Sequence, residues 1–520
     1  MGIEVGWWRK TSLYTVKSTF FWNSYNGHVK TLKLERTVFL TVRIPPQKLF
    51  IAAGLAGGLA VGGAATVRAA APVAAATPGS EPASRVKTLE VRSARRYQPI
   101  YRTPDGRGPL RGTMVPGESF EVVAQVAGPR CSGGVWGELP AGGYTCLGTT
   151  ELSEETPVFQ PRLAAFDQPR PEEYFSYLET GAYDRDRVDV AEPILPFIYG
   201  KRWRGWRAPA WDSLAAWNAG RASTHNLEGV PKYHFVEAID TPRGQVLRRR
   251  DGVVVPADRV FIYPVDRFQG RDLEARPVPE GRAAAWVVAY DGVSVRSEPH
   301  AGAPIMASLD YHQELTVDAV PVASSEDEAL RWWRIPDAVV PGVDGWVPAG
   351  TEGIRVLQSL ARPEEVGPDE IWVDVDRTEQ VLSLRRGNQV LYATLVSTGD
   401  GARWATPKGL YRVYDKSVYG DMKSRDDADE PYHVEKVPWV MHFKHRYALH
   451  GVFWHWGFGH PASHGCVNLA PRDAHYLFER IGPRIGKGWH TAYATPEDPG
   501  THMRVHDGRL EVPDKRVAAR

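Results

Sequence analysis

Apolar and polar residues alternate in short runs along most of the chain, and turn residues separate these runs. The alternation is clearest between residues 371 and 396, in Ile371-Trp-Val-Asp-Val-Asp, Gln380-Val-Leu-Ser-Leu-Arg and Gln389-Val-Leu-Tyr-Ala-Thr-Leu-Val, with a turn at Arg386-Gly-Asn. A period of two is that of half-buried strands, so these runs are predicted to pair as a hairpin. Helical periodicity is scarce before residue 460, and 50 Gly and 41 Pro supply turns. The chain is therefore predicted to be mainly β.

One clear helix is predicted, from Pro471 to Ile481. Its apolar residues fall on one face at helical spacing, namely Ala474, Leu477, Phe478 and Ile481. Proline suits the first helical position, and Gly482-Pro483 is expected to end the helix.

Two segments, 93–154 and 284–357, share a similar order of strands and turns. The second contains Val293-Ser-Val-Arg-Ser-Glu-Pro, Trp332-Trp-Arg-Ile-Pro and Gly345-Trp-Val-Pro, and the first closes at Gly143-Tyr-Thr-Cys. Both resemble bacterial SH3-like modules, which implies small β-barrels. The stretch between them, 155–280, is interpreted as a divergent β-module. Its tryptophans are expected to form an aromatic surface or a small core, namely Trp203, Trp206 and Trp211.

The N-terminal part carries the pattern of an export signal. Basic Arg43 and Lys48 precede an apolar run from Leu49 to Ala65, and small residues continue to Ala76 with Ala-x-Ala sites at 69–71 and 74–76. This order is typical of a secretory signal, and a membrane anchor is the alternative. Residues 1–76 are thus interpreted as an extension plus signal or anchor, with Val42 as an alternative start and 77–92 as a linker. The protein is expected in the periplasm or cell wall.

Length and charge narrow the class of protein. The 520 residues favour three or four domains, and the formal net charge of +1 gives no reason to expect a nucleic-acid partner.

Only three cysteines occur, at 131, 146 and 466. In an oxidising compartment two of them are expected to pair. Cys131 and Cys146 lie close in sequence within one β-rich segment, so they are the predicted disulfide. Cys466 is left over and lies in a histidine-rich stretch, which indicates a functional thiol.

A nucleophilic cysteine needs a base or electropositive surroundings. His464 lies two residues before Cys466 and His450 lies sixteen before it, and both are candidate bases. The helix that begins at Pro471 is also expected to bring its positive end near the thiol.

A metal site is the alternative use of this histidine-rich stretch. His460 and His464 have i,i+4 spacing, but Gly459, Pro461 and Gly465 make a helix implausible there, and no carboxylate lies between them. No metal and no cofactor are therefore expected.

The residues around the thiol resemble the signature of the L,D-transpeptidase (YkuD-type) catalytic domain. His450-Gly451 and Ser463-His464-Gly465-Cys466-Val467-Asn468 match its motif, and Val396-Ser-Thr-Gly and Thr406-Pro-Lys-Gly match its recurrent strand ends. The resemblance places a β domain at 366–497, with a tail at 498–520. It implies a cysteine at a strand-to-helix turn and a substrate-covering flap at 415–446.

The resemblance also implies the role of each site residue. Cys466 is the nucleophile, and His450 is the general base, oriented by a backbone carbonyl near Gly451. Backbone N–H groups around Gly465 and Cys466 hold the oxyanion. The supporting residues are Ser463, His464, Gly465 and Asn468.

The activity implied is that of a peptidoglycan L,D-transpeptidase. Such an enzyme forms a thioacyl intermediate with a tetrapeptide stem, releases D-Ala and transfers the stem to an amine. The alternatives are an L,D-carboxypeptidase, an enzyme that attaches a wall protein, and a non-catalytic wall-binding protein.

Overall fold

The computed structural model divides the chain into two units, residues 1–79 and 80–520. In the first unit it describes the backbone of two paired antiparallel strands, β1 (Ser12–Asn23) and β2 (Val29–Leu40). In the second unit the described residues are 85–158, 195–202, 207–227, 232–338, 341–350, 352–424 and 432–508. The expected signal at 43–76, the start of the linker, and Trp203 and Trp206 lie outside the described residues. Within the described part, no helix is long and apolar enough to cross a membrane.

The first module, residues 85–154, is one antiparallel sheet. Its strands are β3 (Arg85–Ala94), β4 (Gln98–Tyr101), β5 (Leu110–Met114), β6 (Ser119–Ala127), β7 (Val135–Glu138), β8 (Tyr144–Cys146) and β9 (Thr150–Leu152). They pair in the order β9-β3-β6-β7-β8-β4-β5. A disulfide joins Cys131 to Cys146, with Cα atoms 5.2 Å apart.

The sheet of the first module does not close into the barrel that the SH3-like resemblance implies. The edge strand β5 pairs instead with β35 (Thr491–Tyr493), which lies far along the chain, at Thr113–Thr491 and Gly112–Ala492. The free edge of the module is thus covered by another domain, which leaves no edge for barrel closure.

The middle segment, residues 195–280, consists of short strands. They are β10 (Ile198–Arg202), β11 (Pro209–Ala210), β12 (His225–Asn226), β13 (Tyr233–Phe235), β14 (Glu237–Ile239), β15 (Val246–Arg248), β16 (Val254–Pro256), β17 (Val260–Ile262) and β18 (Arg271–Asp272), with one helix, Leu214–Asn218. The strands form the sheets β13-β10-β17 and β14-β15-β16 and the pair β11-β12. Trp211 packs edge-on against Trp217 in a small core, with ring centroids 4.7 Å apart.

The second module, residues 282–356, forms two sheets around one core. Its strands are β19 (Arg282–Val287), β20 (Val293–Arg296), β21 (Ile305–Leu309), β22 (Glu314–Asp318), β23 (Val322–Ala323), β24 (Arg331–Ile335), β25 (Gly345–Pro348) and β26 (Ile354–Val356). They pair as β22-β19-β26 and β21-β20-β25-β24-β23. The described strands of this module do not close into a barrel either, because pairing stays within each of the two sheets.

The C-terminal domain begins with the predicted hairpin. Its strands are β27 (Ile371–Asp376), β28 (Val381–Arg386), β29 (Gln389–Ser397), β30 (Gly409–Arg412), β31 (Asp415–Lys423), β32 (His433–Lys444), β33 (Tyr447–Gly451), β34 (Val467–Leu469), β35 and β36 (His502–His506). Its helices are Gly401–Trp404 and Pro471–Arg480. The hairpin at 371–396 and the helix that begins at Pro471 are confirmed. The mainly β fold is confirmed as well.

Strand β36 extends this domain beyond residue 497, where the sequence analysis ended it. It pairs in parallel with β27 and antiparallel with β30, so residues 502–506 lie inside the sheet and are not a tail. Strand β29 pairs with β28 along most of its length and with β34 at its end. The strands β34, β33, β32, β31 and β35 then follow in order.

The helix Pro471–Arg480 packs its apolar face against β32 and β33. Its four predicted core residues, Ala474, Leu477, Phe478 and Ile481, are all buried. They meet Leu449 and Val467 in the main core, which fixes the two strands that carry the candidate site.

Candidate active site

The parallel pairing of β33 with β34 brings His450 and Cys466 together. His450 lies opposite Asn468, and Cys466 immediately precedes β34, two residues before Asn468. The thiol lies against β33, with Sγ 3.8 Å from the carbonyl oxygen of Arg446. Within the described residues no hydrogen bond joins the thiol to His450. Both groups therefore lie at neighbouring positions of one strand pair, without a hydrogen bond between them in the described part of the chain.

His450 is held in one tautomer. Its Nδ1 lies 3.1 Å from the carbonyl oxygen of Gly451, so Nδ1 carries the proton and Nε2 keeps its lone pair. The side chain is 2% exposed, and burial lowers the pKa of His450 to about 4. The Gly451 carbonyl works against this shift, whereas His442 and His455 add to it. At neutral pH the imidazole is a neutral base.

Cys466 is the one free cysteine among the described residues, and its side chain is half-buried. Burial raises the pKa of its thiol, which outweighs a backbone hydrogen bond from Ala448. The sequence predicts that the helix at Pro471 brings its positive end near the thiol, but strand β34 lies between Cys466 and that helix in the chain. The resting pair is therefore a neutral thiol beside a neutral imidazole, and proton transfer must accompany attack.

The turn before the thiol is fixed by hydroxyl groups. Ser463 Oγ donates to the carbonyl oxygen of Cys466 at 2.5 Å and accepts from the Gly465 N–H at 3.0 Å. Thr406 Oγ1 donates to the Gly465 carbonyl oxygen at 2.9 Å and accepts from the Gly399 N–H at 2.9 Å. The Gly465 amide, expected to hold the oxyanion, is thus already engaged by Ser463 in this structure.

Gly465 is required at its position. Its φ is +114°, and a Cβ there would lie 2.4 Å from Cε1 of Tyr447. Only glycine tolerates both this backbone conformation and this close approach.

His464 is exposed and turns toward the flap side. Its ring lies edge-on to Trp404 with centroids 4.5 Å apart, and it stacks on Tyr432 at 5.4 Å. Burial raises the pKa of Tyr432, and the thiol of Cys466 raises it further. The expected flap corresponds to the hairpin β31-β32, of which residues 425–431 lie outside the described part.

Asn468 pairs with His455, a histidine to which the family motif assigns no role. Asn468 Nδ2 lies 2.9 Å from Nε2 of His455, and burial lowers the pKa of His455 to about 4. The amide therefore donates to a neutral imidazole. Asn468 Oδ1 and His455 Nδ1 are buried and have no hydrogen-bond partner among the described residues.

The loop between His450 and Cys466 is fastened to the second module. Its backbone carbonyl oxygens accept from Tyr311 (at Trp456, 3.0 Å), His312 (at Phe458, 3.2 Å) and Arg355 (at Gly459, 2.8 Å). In return, His460 Nε2 lies 2.7 Å from the carbonyl oxygen of Val288. Nothing in the sequence motif points to these partners, because they lie 100 residues or more upstream.

The described residues contain no group of three or more His, Cys, Asp or Glu side chains that could hold a metal ion.

Comparison with known proteins places the C-terminal domain in a family. Residues 370–503 match the model of the L,D-transpeptidase catalytic domain, YkuD. No curated protein matches the chain significantly.

Several solved structures are similar to the chain. The catalytic domain of an Enterococcus faecium L,D-transpeptidase acylated by ertapenem is 22% identical, with 26% of this chain and 98% of that chain covered and a TM-score of 0.22. An L,D-transpeptidase from Mycobacterium smegmatis is 16% identical, with coverages of 48% and 90% and a TM-score of 0.22. An L,D-transpeptidase from Xylanimonas cellulosilytica is 22% identical, with coverages of 28% and 64% and a TM-score of 0.19. The family match identifies residues 370–503 of this chain as an L,D-transpeptidase catalytic domain of the YkuD family.

Proposed function

We propose that the protein is a peptidoglycan L,D-transpeptidase in which Cys466 is the nucleophile and His450 is the general base. One observation carries the proposal: the β33-β34 pair presents a free thiol beside a buried imidazole whose Nδ1 is held by the Gly451 carbonyl oxygen. This arrangement leaves the His450 Nε2 lone pair as the proton acceptor.

The first half-reaction breaks one peptide bond and forms a thioester. Nε2 of His450 takes the proton from the Cys466 thiol as Sγ attacks the carbonyl carbon of the third residue of a tetrapeptide stem. The tetrahedral intermediate collapses, and His450 returns the proton to the leaving amine of D-Ala. Ser463 fixes the turn that aims the thiol, through its bond to the Cys466 carbonyl oxygen.

The second half-reaction regenerates the thiol. The amine of another stem attacks the thioester, His450 takes the amine proton, and Sγ leaves and is reprotonated. Water in place of the amine gives an L,D-carboxypeptidase, and an amine of a wall protein gives an attachment enzyme. These alternatives share the first half-reaction and differ only in the acceptor.

We propose further that the protein works outside the cytoplasmic membrane, in the periplasm or cell wall, where the stems lie. The free thiol, the oriented imidazole and the fixed turn argue against the non-catalytic alternative, because a wall-binding scaffold needs none of them.

Turnover of muropeptides tests the proposal. Purified protein is incubated with a disaccharide tetrapeptide, with and without an amine acceptor, and D-Ala and crosslinked products are quantified. The proposal predicts D-Ala release in both reactions and more crosslinked product when the acceptor is added, since the tetrapeptide stem can itself supply an amine. Absence of D-Ala release from wild type, or equal release by Cys466→Ala, contradicts it.

A further inference from the structure

Two lysines of the middle segment, Lys201 and Lys232, lie in half-buried positions, and neither forms an ion pair with any described residue. An acidic residue packed beside Lys232 is Glu435, whose backbone N–H donates to the Lys232 carbonyl oxygen. Its carboxylate is already bound by His234 at 2.6 Å and Arg249 at 3.3 Å.

Lys232 is close to the catalytic histidine. Its Nζ lies 5.6 Å from the centroid of the Trp454 ring, and that ring lies 6.0 Å from the ring of His450. Trp454 belongs to the loop that joins His450 to Cys466. One indole therefore separates the ammonium group from the general base.

Lys201 lies against a patch of four aromatic side chains that includes Trp454, the others being Phe261, Tyr263 and Phe453. Its Nζ lies 4.8 Å from the Phe261 ring and 5.5 Å from the Tyr263 ring. Tyr263 packs against Phe453 at 5.3 Å, and Phe453 packs edge-on against Trp454 at 4.9 Å.

The two ammonium groups repel each other across this patch. Burial lowers the pKa of both lysines, and the charge of Lys201 further lowers the pKa of Lys232. Ring faces attract each ammonium but carry no net charge to offset the repulsion. Two like charges in partly desolvated positions, with no described carboxylate to offset them, make this patch a candidate site for an anionic ligand.

We propose that Lys232 and Lys201 bind a carboxylate of the peptide substrate beside Trp454. The proposal rests on the proposed function, because it assigns the ligand as an acidic stem peptide. A tetrapeptide stem carries a terminal carboxylate on D-Ala and side-chain carboxylates further along. The middle segment thereby contributes to substrate binding, although it lies outside the family-matched residues 370–503.

Equilibrium binding tests the site without requiring turnover. Calorimetry on the full chain carrying Cys466→Ala measures the Kd of an acidic tetrapeptide, alone and combined with Lys232→Met, Lys232→Arg or Lys201→Met. Lys232→Met is expected to weaken binding about tenfold, as for loss of a charged hydrogen bond, whereas Lys232→Arg keeps the charge and most of the affinity. Lys408→Met is the matched control, because Lys408 is an exposed lysine paired with Asp507.

Amidated peptides identify the carboxylate. If the terminal carboxylate is bound, the C-terminal amide binds about tenfold more weakly than the acid to the chain that keeps Lys232. The acid and the amide then bind to Lys232→Met with the same, weaker affinity. If a side-chain carboxylate is bound instead, amidation of that group gives this pattern. The proposal is overturned if Lys232→Met leaves the Kd of the acid unchanged. It is also overturned if Lys232→Met weakens binding of the acid and of every amide by the same factor. Failure of the proposed function is a separate result, since wild type would then bind peptide without releasing D-Ala.

Discussion

Arg355 of the second module donates from Nε to the carbonyl oxygen of Gly459, at 2.8 Å, in the loop that joins the general base to the nucleophile. Its Nη1 donates to the carbonyl oxygen of Thr378 at 3.0 Å, and the side chain is buried. One guanidinium group therefore links the second module to two parts of the catalytic domain. The loop that carries Trp454 and His455 is positioned from outside the family-matched residues.

Replacing Arg355 by methionine is expected to loosen this loop. The substitution keeps apolar bulk but leaves two carbonyl oxygens without their donor, so the free energy of unfolding should fall by about 2 kcal/mol. The rate of D-Ala release should fall about tenfold, since small displacements of catalytic groups slow the reaction strongly. Urea denaturation and steady-state release of D-Ala measure the two effects.

Arg331→Met is the control for this variant, because Arg331 lies in the same module and bonds the carbonyl oxygen of neighbouring Leu330. Equal effects of the two substitutions would show that Arg355 has no special role in holding the loop.

The two candidate bases are expected to differ sharply when replaced by alanine. His450→Ala removes the acceptor of the thiol proton and should lower the rate of D-Ala release at least about a hundredfold. His464→Ala removes an exposed ring that contacts Trp404 and Tyr432 and should change the rate by about twofold. Steady-state release of D-Ala by each purified variant checks the order, and the reverse order would mean that His464 is the base.

Activity should persist in mildly acidic solution. Because burial lowers the pKa of His450 to about 4, the base stays neutral at pH 6 and is lost only as the pH falls through about 4. The acid limb of kcat/KM for D-Ala release, measured in buffers of constant ionic strength, should therefore lie well below the ordinary histidine pKa of 6.5. An acid limb near 6.5 would contradict a buried neutral base.

The free energy of unfolding should also depend on the protonation of His450. In the unfolded chain His450 binds a proton below about pH 6.5, whereas the folded chain binds it only below about 4. Between these values the unfolded state binds more protons, so this contribution to stability is full above 6.5 and is lost as the pH falls toward 4. His312, His455 and His490 are shifted in the same direction.

One of the three cysteines is expected to react as a free thiol. The Cys131–Cys146 disulfide lies within the first module, and Cys466 is unpaired among the described residues. Thiol titration of denatured, unreduced protein purified from the periplasm should count one thiol, and three after reduction. Three thiols before reduction would contradict both the disulfide and an oxidising location.

Local patterns predicted the parts of the fold that depend on neighbours in sequence. The alternation at 371–396 predicted the hairpin, and the apolar face with Pro471 predicted the helix, because both elements bury one face against a single core. The motif around Cys466 predicts a nucleophile and a base, and parallel pairing of β33 with β34 places Cys466 and His450 at neighbouring positions. The raised pKa of the thiol was not predictable, since it depends on how deeply the folded chain buries the side chain.

Long-range contacts account for what the sequence could not predict. Pairing of β5 with β35, which leaves the first module open, depends on an edge some 380 residues away. The stacking of Tyr199 on Phe453 at 3.8 Å and the bond from Arg355 to Gly459 likewise join distant segments. Neither contact has a local signature, because a tyrosine or an arginine in a short strand is equally compatible with a surface position.

We propose that a nucleophilic Cys466 opens the β-lactam ring of ertapenem and is acylated by it. Intact-protein mass spectrometry after incubation with ertapenem therefore tests the central claim, that Cys466 is the nucleophile, most directly. The wild-type chain should gain the mass of one ertapenem molecule, and the Cys466→Ala variant, with an unchanged fold by circular dichroism, should gain none. Because Cys131 and Cys146 are joined in a disulfide, no second thiol is available to take the adduct. An adduct of the same mass on Cys466→Ala would contradict the account.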